Sequence, residues 1–217
     1  MIGCMMVERR EPAHDVRTGK DRAAYTRGLN PLGAMAYVRE KGGAEAMRRV
    51  LARLPEEDLV PLSSERLSST TWVPFRTQAR LLEAIDQTFG NGDGSTLFEV
   101  GYFMSQRDIP RVFRPLLRLG NPGWIIEVST KLWRVYHDRG SWEILRTPVT
   151  VLATLQGHNE SHEAFCSTLV GWLTGACEIS GGKEVMVDHP VCHARGAPNC
   201  VFTTRWTLAE TSGPGPN

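Results

Sequence analysis

The chain predicts an α+β fold, with N-terminal helices followed by a small antiparallel sheet packed on a long helix. Three observations carry this expectation. Apolar residues recur at three- and four-residue steps through the first half, the period falls to two after about residue 140, and a long helical stretch interrupts the strand-like segments.

The elements follow in order. Residues 1–28 carry charges of both signs without an apolar period, which predicts a flexible N-terminal extension. From Leu32 to Leu54, residues Met35, Val38, Met47, Val50 and Leu54 mark a helical face that Gly42-Gly43 should break in two. Thr77–Phe89, Leu97–Ser105, Ile109–Arg118 and Pro122–His137 read as further helices. Glu143–Thr147 and Val149–Gln156 alternate like strands and should pair antiparallel, with Pro148 between them. Asn159 or Ser161 then caps a helix of about 20 residues, about 30 Å long, ending at Gly181-Gly182. Two strands follow, Lys183–Asp188 and Cys200–Thr207. The Gly/Pro-rich end, 208–217, reads as a disordered tail. The body, 29–207, is expected to be a single domain.

Composition narrows the function classes. The chain has 217 residues and nearly balances 25 Lys+Arg against 24 Asp+Glu. That balance argues against a dedicated nucleic-acid binder, which normally carries a basic excess. No apolar run approaches the roughly 18 to 20 residues of a membrane span. The start, MIGCMMVERREP, lacks the cationic segment of a signal peptide. The expectation is therefore a cytoplasmic protein.

Four of the five cysteines fall late in the chain: Cys166, Cys177, Cys192 and Cys200. In a reducing compartment such clustering points to metal or redox chemistry before disulfides, although a buried cysteine also serves as a small apolar side chain. His189-Pro190-Val191-Cys192 is followed after seven residues by Cys200. The intervening Arg195-Gly196-Ala197-Pro198-Asn199 is turn chemistry that brings the two cysteines side by side. Thiolates and neutral imidazole suit tetrahedral Zn²⁺. Cys166 and Cys177, three helical turns apart, lie about 16 Å from each other and cannot share one ion. Either of them, or His162, is open as the fourth ligand, and His193 competes with His189. The absence of C-x-x-C argues against thioredoxin-type chemistry.

From Cys166 to Trp206 the sequence resembles the C-terminal half of the 4-vinyl-reductase domain. That family shows a helix cysteine, a Gly-aromatic-x-x-Gly step, then acid-x2-Cys-x3-Gly-x3-Cys and a short strand. Here Cys166 precedes Gly171-Trp172-Leu173-Thr174-Gly175, and Cys192 through Gly196 to Cys200 matches the last part. The resemblance implies a structural zinc held by Cys166, His189, Cys192 and Cys200, with histidine where an acid is usual. It also implies a place in a superfamily with haem nitric-oxide sensors and vesicle-tethering subunits. The Tyr-x-Ser-x-Arg haem clamp of those sensors is absent from the sequence.

Other candidates are weaker. His158 and His162, with Glu163, make an H-x3-H that also reads as a polar first turn. Arg107, Arg111, Arg114 and Arg118 form a helical stripe suited to an acidic partner or to solvent. Trp124, Trp133, Trp142 and Trp172, with Tyr102 and Phe103, suit either an apolar ligand pocket or the core. Gly90–Ser95 lacks the lysine and preceding strand of a phosphate loop. No catalytic constellation stands out. The resulting expectation is a non-enzymatic module that senses or binds a small apolar molecule and signals through a protein partner or homodimer, without nucleic acid or membrane. The alternatives are an interaction scaffold of the tethering-subunit kind and an accessory factor of tetrapyrrole metabolism.

Overall fold

The computed structural model describes residues 23–63, 65–109 and 122–208. The first helix, α1 (Leu29–Leu51), is interrupted at Gly43, whose φ of 64° and ψ of −156° break the helical backbone where Gly42-Gly43 predicts a break. Glycine tolerates that conformation because it has no Cβ. The short helix α2 (Glu56–Leu62) follows, with three acidic residues in its first turn. They suit the positive end of a helix. Next come α3 (Phe75–Phe89), α4 (Ser95–Asp108), α5 (Pro122–Lys131) and α6 (Trp133–Tyr136).

Several boundaries differ from the sequence reading. Within the expected extension, strand β1 (Tyr25–Arg27) pairs antiparallel with β2 (Trp72–Pro74). Long-range bonds hold these short strands: Tyr25 N–H donates to Asp138 Oδ1 at 2.7 Å, and Phe75 N–H to the Ala24 carbonyl at 2.8 Å. Pro122–His137 is two helices, α5 and α6. Residues 110–118 of the expected Ile109–Arg118 helix lie outside the described residues, and Ile109 closes α4. The long helix, α7 (Glu163–Ile179), has 17 residues, shorter than expected. Its cap is neither Asn159 nor Ser161 but His162, whose Nδ1 accepts from Ala164 N–H at 3.2 Å.

The strands β3 (Ser141–Arg146), β4 (Thr150–Gln156), β5 (Gly182–Val191) and β6 (Cys200–Leu208) form one antiparallel sheet in the order β3-β4-β6-β5. Strand β6 continues to Leu208, opposite Gly182, so the sheet takes in the first residue of the expected tail. The inner face carries Val151, Ala153, Leu155, Phe202 and Trp206, all buried. Against it lie α7, along β5 and β6, and α5, along β3 and β4. Helix α7 also crosses α4 at backbone contact. A Cβ on Gly101 would stand 1.8 Å from the Thr168 carbonyl oxygen, and one on Gly171 2.0 Å from that of Phe98. No side chain fits there, so these glycines set the crossing.

Candidate metal centre

Three separate segments bring the cysteine cluster together. Cys166 sits in the first turn of α7, where its N–H donates to the His162 carbonyl at 3.0 Å. His189 lies near the end of β5. There the register shifts, so that the four residues of β5 from Asp188 to Val191 span only three of β6, Val201 to Thr203. Such a bulge re-aims side chains, and the His189 ring lies flat on Phe202. Cys200 opens β6 opposite Leu155. Between Cys192 and Cys200 the chain turns through a 3₁₀ segment, His193–Arg195, and a left-handed Gly196 at φ 91°. The Cys192 carbonyl accepts from Arg195 and Ala197 N–H at 3.1 and 3.2 Å, which closes the turn beneath the thiol.

The ligand-type atoms of Cys166, His189, Cys192 and Cys200 all lie within 4.8 Å of one another. Cys166 Sγ is 3.8 Å from Cys200 Sγ and 3.9 Å from Cys192 Sγ. Thiolates at tetrahedral corners about 2.3 Å from zinc stand about 3.8 Å apart. The three cysteines are buried, and Nε2 of His189 is a buried nitrogen with no hydrogen-bond partner. The donor set therefore suits a four-coordinate zinc ion.

The charge in the cluster is unevenly shared. Cys200 is the thiol held well below its ordinary range, chiefly by the Cys166 hydrogen bond, with the His193 N–H and Ser161 adding to it. His193 N–H reaches its sulfur at 3.3 Å. Cys166 is pushed up by its hydrogen bond to Cys200 and by burial. A cation among the sulfurs would favour the thiolate form of each.

The other candidate ligands lie elsewhere. His193 Nδ1 contacts the Ala197 carbonyl at 2.7 Å, and His162 caps α7 with its Nε2 3.4 Å from Glu83. Cys177 is buried far along α7, its thiol pushed up to about 12 by burial. His158 does not join His162 in a metal pair. It stacks on Phe165, meets Phe75 edge-on at 4.5 Å and approaches His137 at 6.0 Å between ring centroids. The sequence reading did not single out His137, which stacks on Trp133 at 3.8 Å. An isolated histidine after a helical segment gives no sign of burial.

The remaining sequence candidates scatter. Arg107 pairs with Asp108 at 3.1 Å, while Arg111, Arg114 and Arg118 lie outside the described residues. Of the aromatic set, Trp133 and Trp142 line a cavity of about 500 Å³ between α5, α6 and β3. Tyr102 instead donates to Glu178 at 2.7 Å, and Phe103 packs on Tyr37. Among the described residues no helix is long and apolar enough to cross a membrane.

No family model and no curated protein matches the chain. Solved structures do. The chain is similar to the Fe(II) unliganded H-NOX protein of K. algicida, with a TM-score of 0.61 at 12% identity over 86% of this chain and 100% of that one. A mutant H-NOX protein of S. oneidensis in the Fe(II) state gives 0.62 at 12% identity, over 87% and 100%. The IWP-051-bound H-NOX of Shewanella woodyi in the Fe(II)CO state gives 0.56 at 11%, over 88% and 98%. Near-complete coverage of both chains at such low identity establishes a shared architecture: this chain has the H-NOX fold.

Proposed function

We propose that the chain is a non-enzymatic module that binds a small molecule, is closed by a structural zinc at Cys166, His189, Cys192 and Cys200, and signals through a protein partner or a second copy of itself. The observation that carries this reading is the convergence of three buried cysteines and one half-buried histidine from α7, the end of β5, the turn after it and β6, on a fold that H-NOX proteins share. The 4-vinyl-reductase resemblance of Cys166–Trp206 names the same four residues. Four protein ligands leave no open position, so the zinc supplies cross-linking of the final hairpin to α7 and no chemistry of its own.

An iron macrocycle does not suit the described histidines. His137 and His158 are enclosed by Trp133, Phe75 and Phe165, with ring centroids 3.8 to 6.4 Å apart, which leaves no slot for a porphyrin beside either ring. His162 and His193 are engaged by backbone groups, and His189 stacks on Phe202 within the cysteine cluster.

Elemental mass spectrometry of the tag-free protein and of Cys192→Ser tests the reading. One zinc per chain in the wild type, lost in the variant together with thermal stability, is expected. Protein expressed with zinc available yet holding none would remove the site. Mass spectrometry of a denatured extract tests the small-molecule half, with an organic compound expected to accompany the protein.

A further inference from the structure

The cavity between α5, α6 and β3 combines aromatic walls with an excess of positive charge. Its volume, about 500 Å³, falls within the range of small-molecule sites. Trp133 and Trp142 meet there edge to face, with centroids 5.3 Å apart and planes at 88°, and Ile144 extends the apolar surface. The indole N–H of Trp133 is already spent on the Arg139 carbonyl at 2.7 Å and its ring is stacked on His137, so the accessible apolar surface comes chiefly from Trp142 and Ile144. Gly140, at φ 83°, lines the cavity without a side chain. A Cβ there would stand 3.2 Å from Trp133 Nε1.

Three cations, Lys131, Arg134 and Arg146, surround these walls against a single carboxylate, Glu127. That carboxylate is shared: Lys131 Nζ lies 2.9 Å from it and Arg146 3.6 Å. Arg134 has no ion-pair partner among the described residues. Its guanidinium matches a carboxylate in a planar, two-pronged geometry, while a ring packs on indole and isoleucine.

We infer that this cavity binds an aromatic carboxylate, with the ring packed on Trp142 and Ile144 beside the edge of Trp133 and the carboxylate on Arg134. The inference rests on the small-molecule half of the proposed function and names its site and ligand class.

Titration calorimetry on the full chain, with 1-naphthoate and its neutral counterpart 1-naphthalenemethanol as probes, tests it. The acid is expected to bind at least about tenfold more tightly than the alcohol, and more weakly as salt rises. Arg134→Gln should erase that preference, and Arg134→Lys should retain part of it. Arg134 is exposed, so neither variant should alter the melting temperature. Equal binding of acid and alcohol, or an acid affinity unchanged in Arg134→Gln, overturns the inference. If naphthoate fails to bind while the denatured extract yields another organic compound, this site and class fall alone. If naphthoate fails and the extract is empty, the small-molecule reading falls with them.

Discussion

His189 lies parallel to Phe202, with ring centroids 4.3 Å apart and planes 8° from coplanar, and the two residues belong to neighbouring strands β5 and β6. The stack fixes the imidazole beside the three sulfurs. Groups that orient a metal ligand typically contribute about 10- to 100-fold in affinity. Phe202→Leu is therefore expected to keep the zinc at saturation but hold it at least about tenfold more weakly in chelator competition. His189→Ala should be weaker still. Unchanged affinity in both variants would remove His189 from the site.

Cys200 and Cys177 provide a matched pair of substitutions. Both are buried, but only Cys200 stands beside the other sulfurs. Cys200→Ser is expected to lose the zinc and several kcal/mol of stability, because metal binding and folding are linked. For a chain of this size that corresponds to a fall in melting temperature on the order of 10 °C. Cys177→Ala should retain a full complement of metal. Scanning calorimetry combined with elemental analysis separates the two, and a Cys200→Ser protein melting like wild type would fail the expectation.

The pair His137 and His158 should make stability depend on pH. Burial holds the imidazole of His158 down to about 4 and that of His137 well below its ordinary value; the nearby Cys200 charge offsets part of the effect at His158. In the unfolded chain both take up protons near pH 6.5. Above that pH neither state binds the proton and nothing is lost. As pH falls toward 4 only the unfolded chain is protonated, so stability declines, by about 3 kcal/mol for His158 alone. Denaturant titrations at pH 7 and pH 5 should show the loss, and His158→Phe should reduce it. Equal slopes in the two proteins would contradict the assignment.

Gly171 meets α4 where no side chain fits. Gly171→Ala would drive a methyl group into the Phe98 carbonyl, forcing the two helices apart. Overpacking of this kind costs about 1–3 kcal/mol, more where backbone must move. Chemical denaturation should register the loss. Gly181→Ala, just past the end of α7, with open space around its Cβ but φ at 99°, should cost less, through backbone strain alone.

Periodicity revealed the elements that bury one face. The alternation in β4 and β6 is legible because Val151, Ala153 and Leu155 face the core together with Cys200, Phe202 and Trp206. The interruption at Gly43 was equally readable. By contrast, β1 and β2 have three residues each, too few for a period, and depend on partners such as Asp138 more than 100 positions away. Helix α2 is seven residues long with Pro61 inside it; its acidic first turn after Pro55 was the available signal. For the cluster, spacing brought Cys192 near Cys200 but left three histidines and two helix cysteines open. A one-residue irregularity in β5 places His189 among the sulfurs, and such bulges leave no reliable trace in a single sequence. The Trp133–Trp142 cavity was half legible. Its tryptophans were visible, but its cations, spread over α5, α6 and β3, were not connected by spacing.

The strand order β3-β4-β6-β5 has a consequence for biosynthesis. Of the four strands the last to be made, β6, is an interior one, so a nascent chain that has emerged only as far as Val191 holds a β3-β4 hairpin and a β5 with nothing to join them. That intermediate exposes two unpaired strand edges and lacks Cys200, and so could neither close the sheet nor assemble the sulfur cluster. Sheet closure and cluster assembly therefore both wait for β6 to be made, and until then the edges of β4 and β5 are open to capture by other chains or by chaperones.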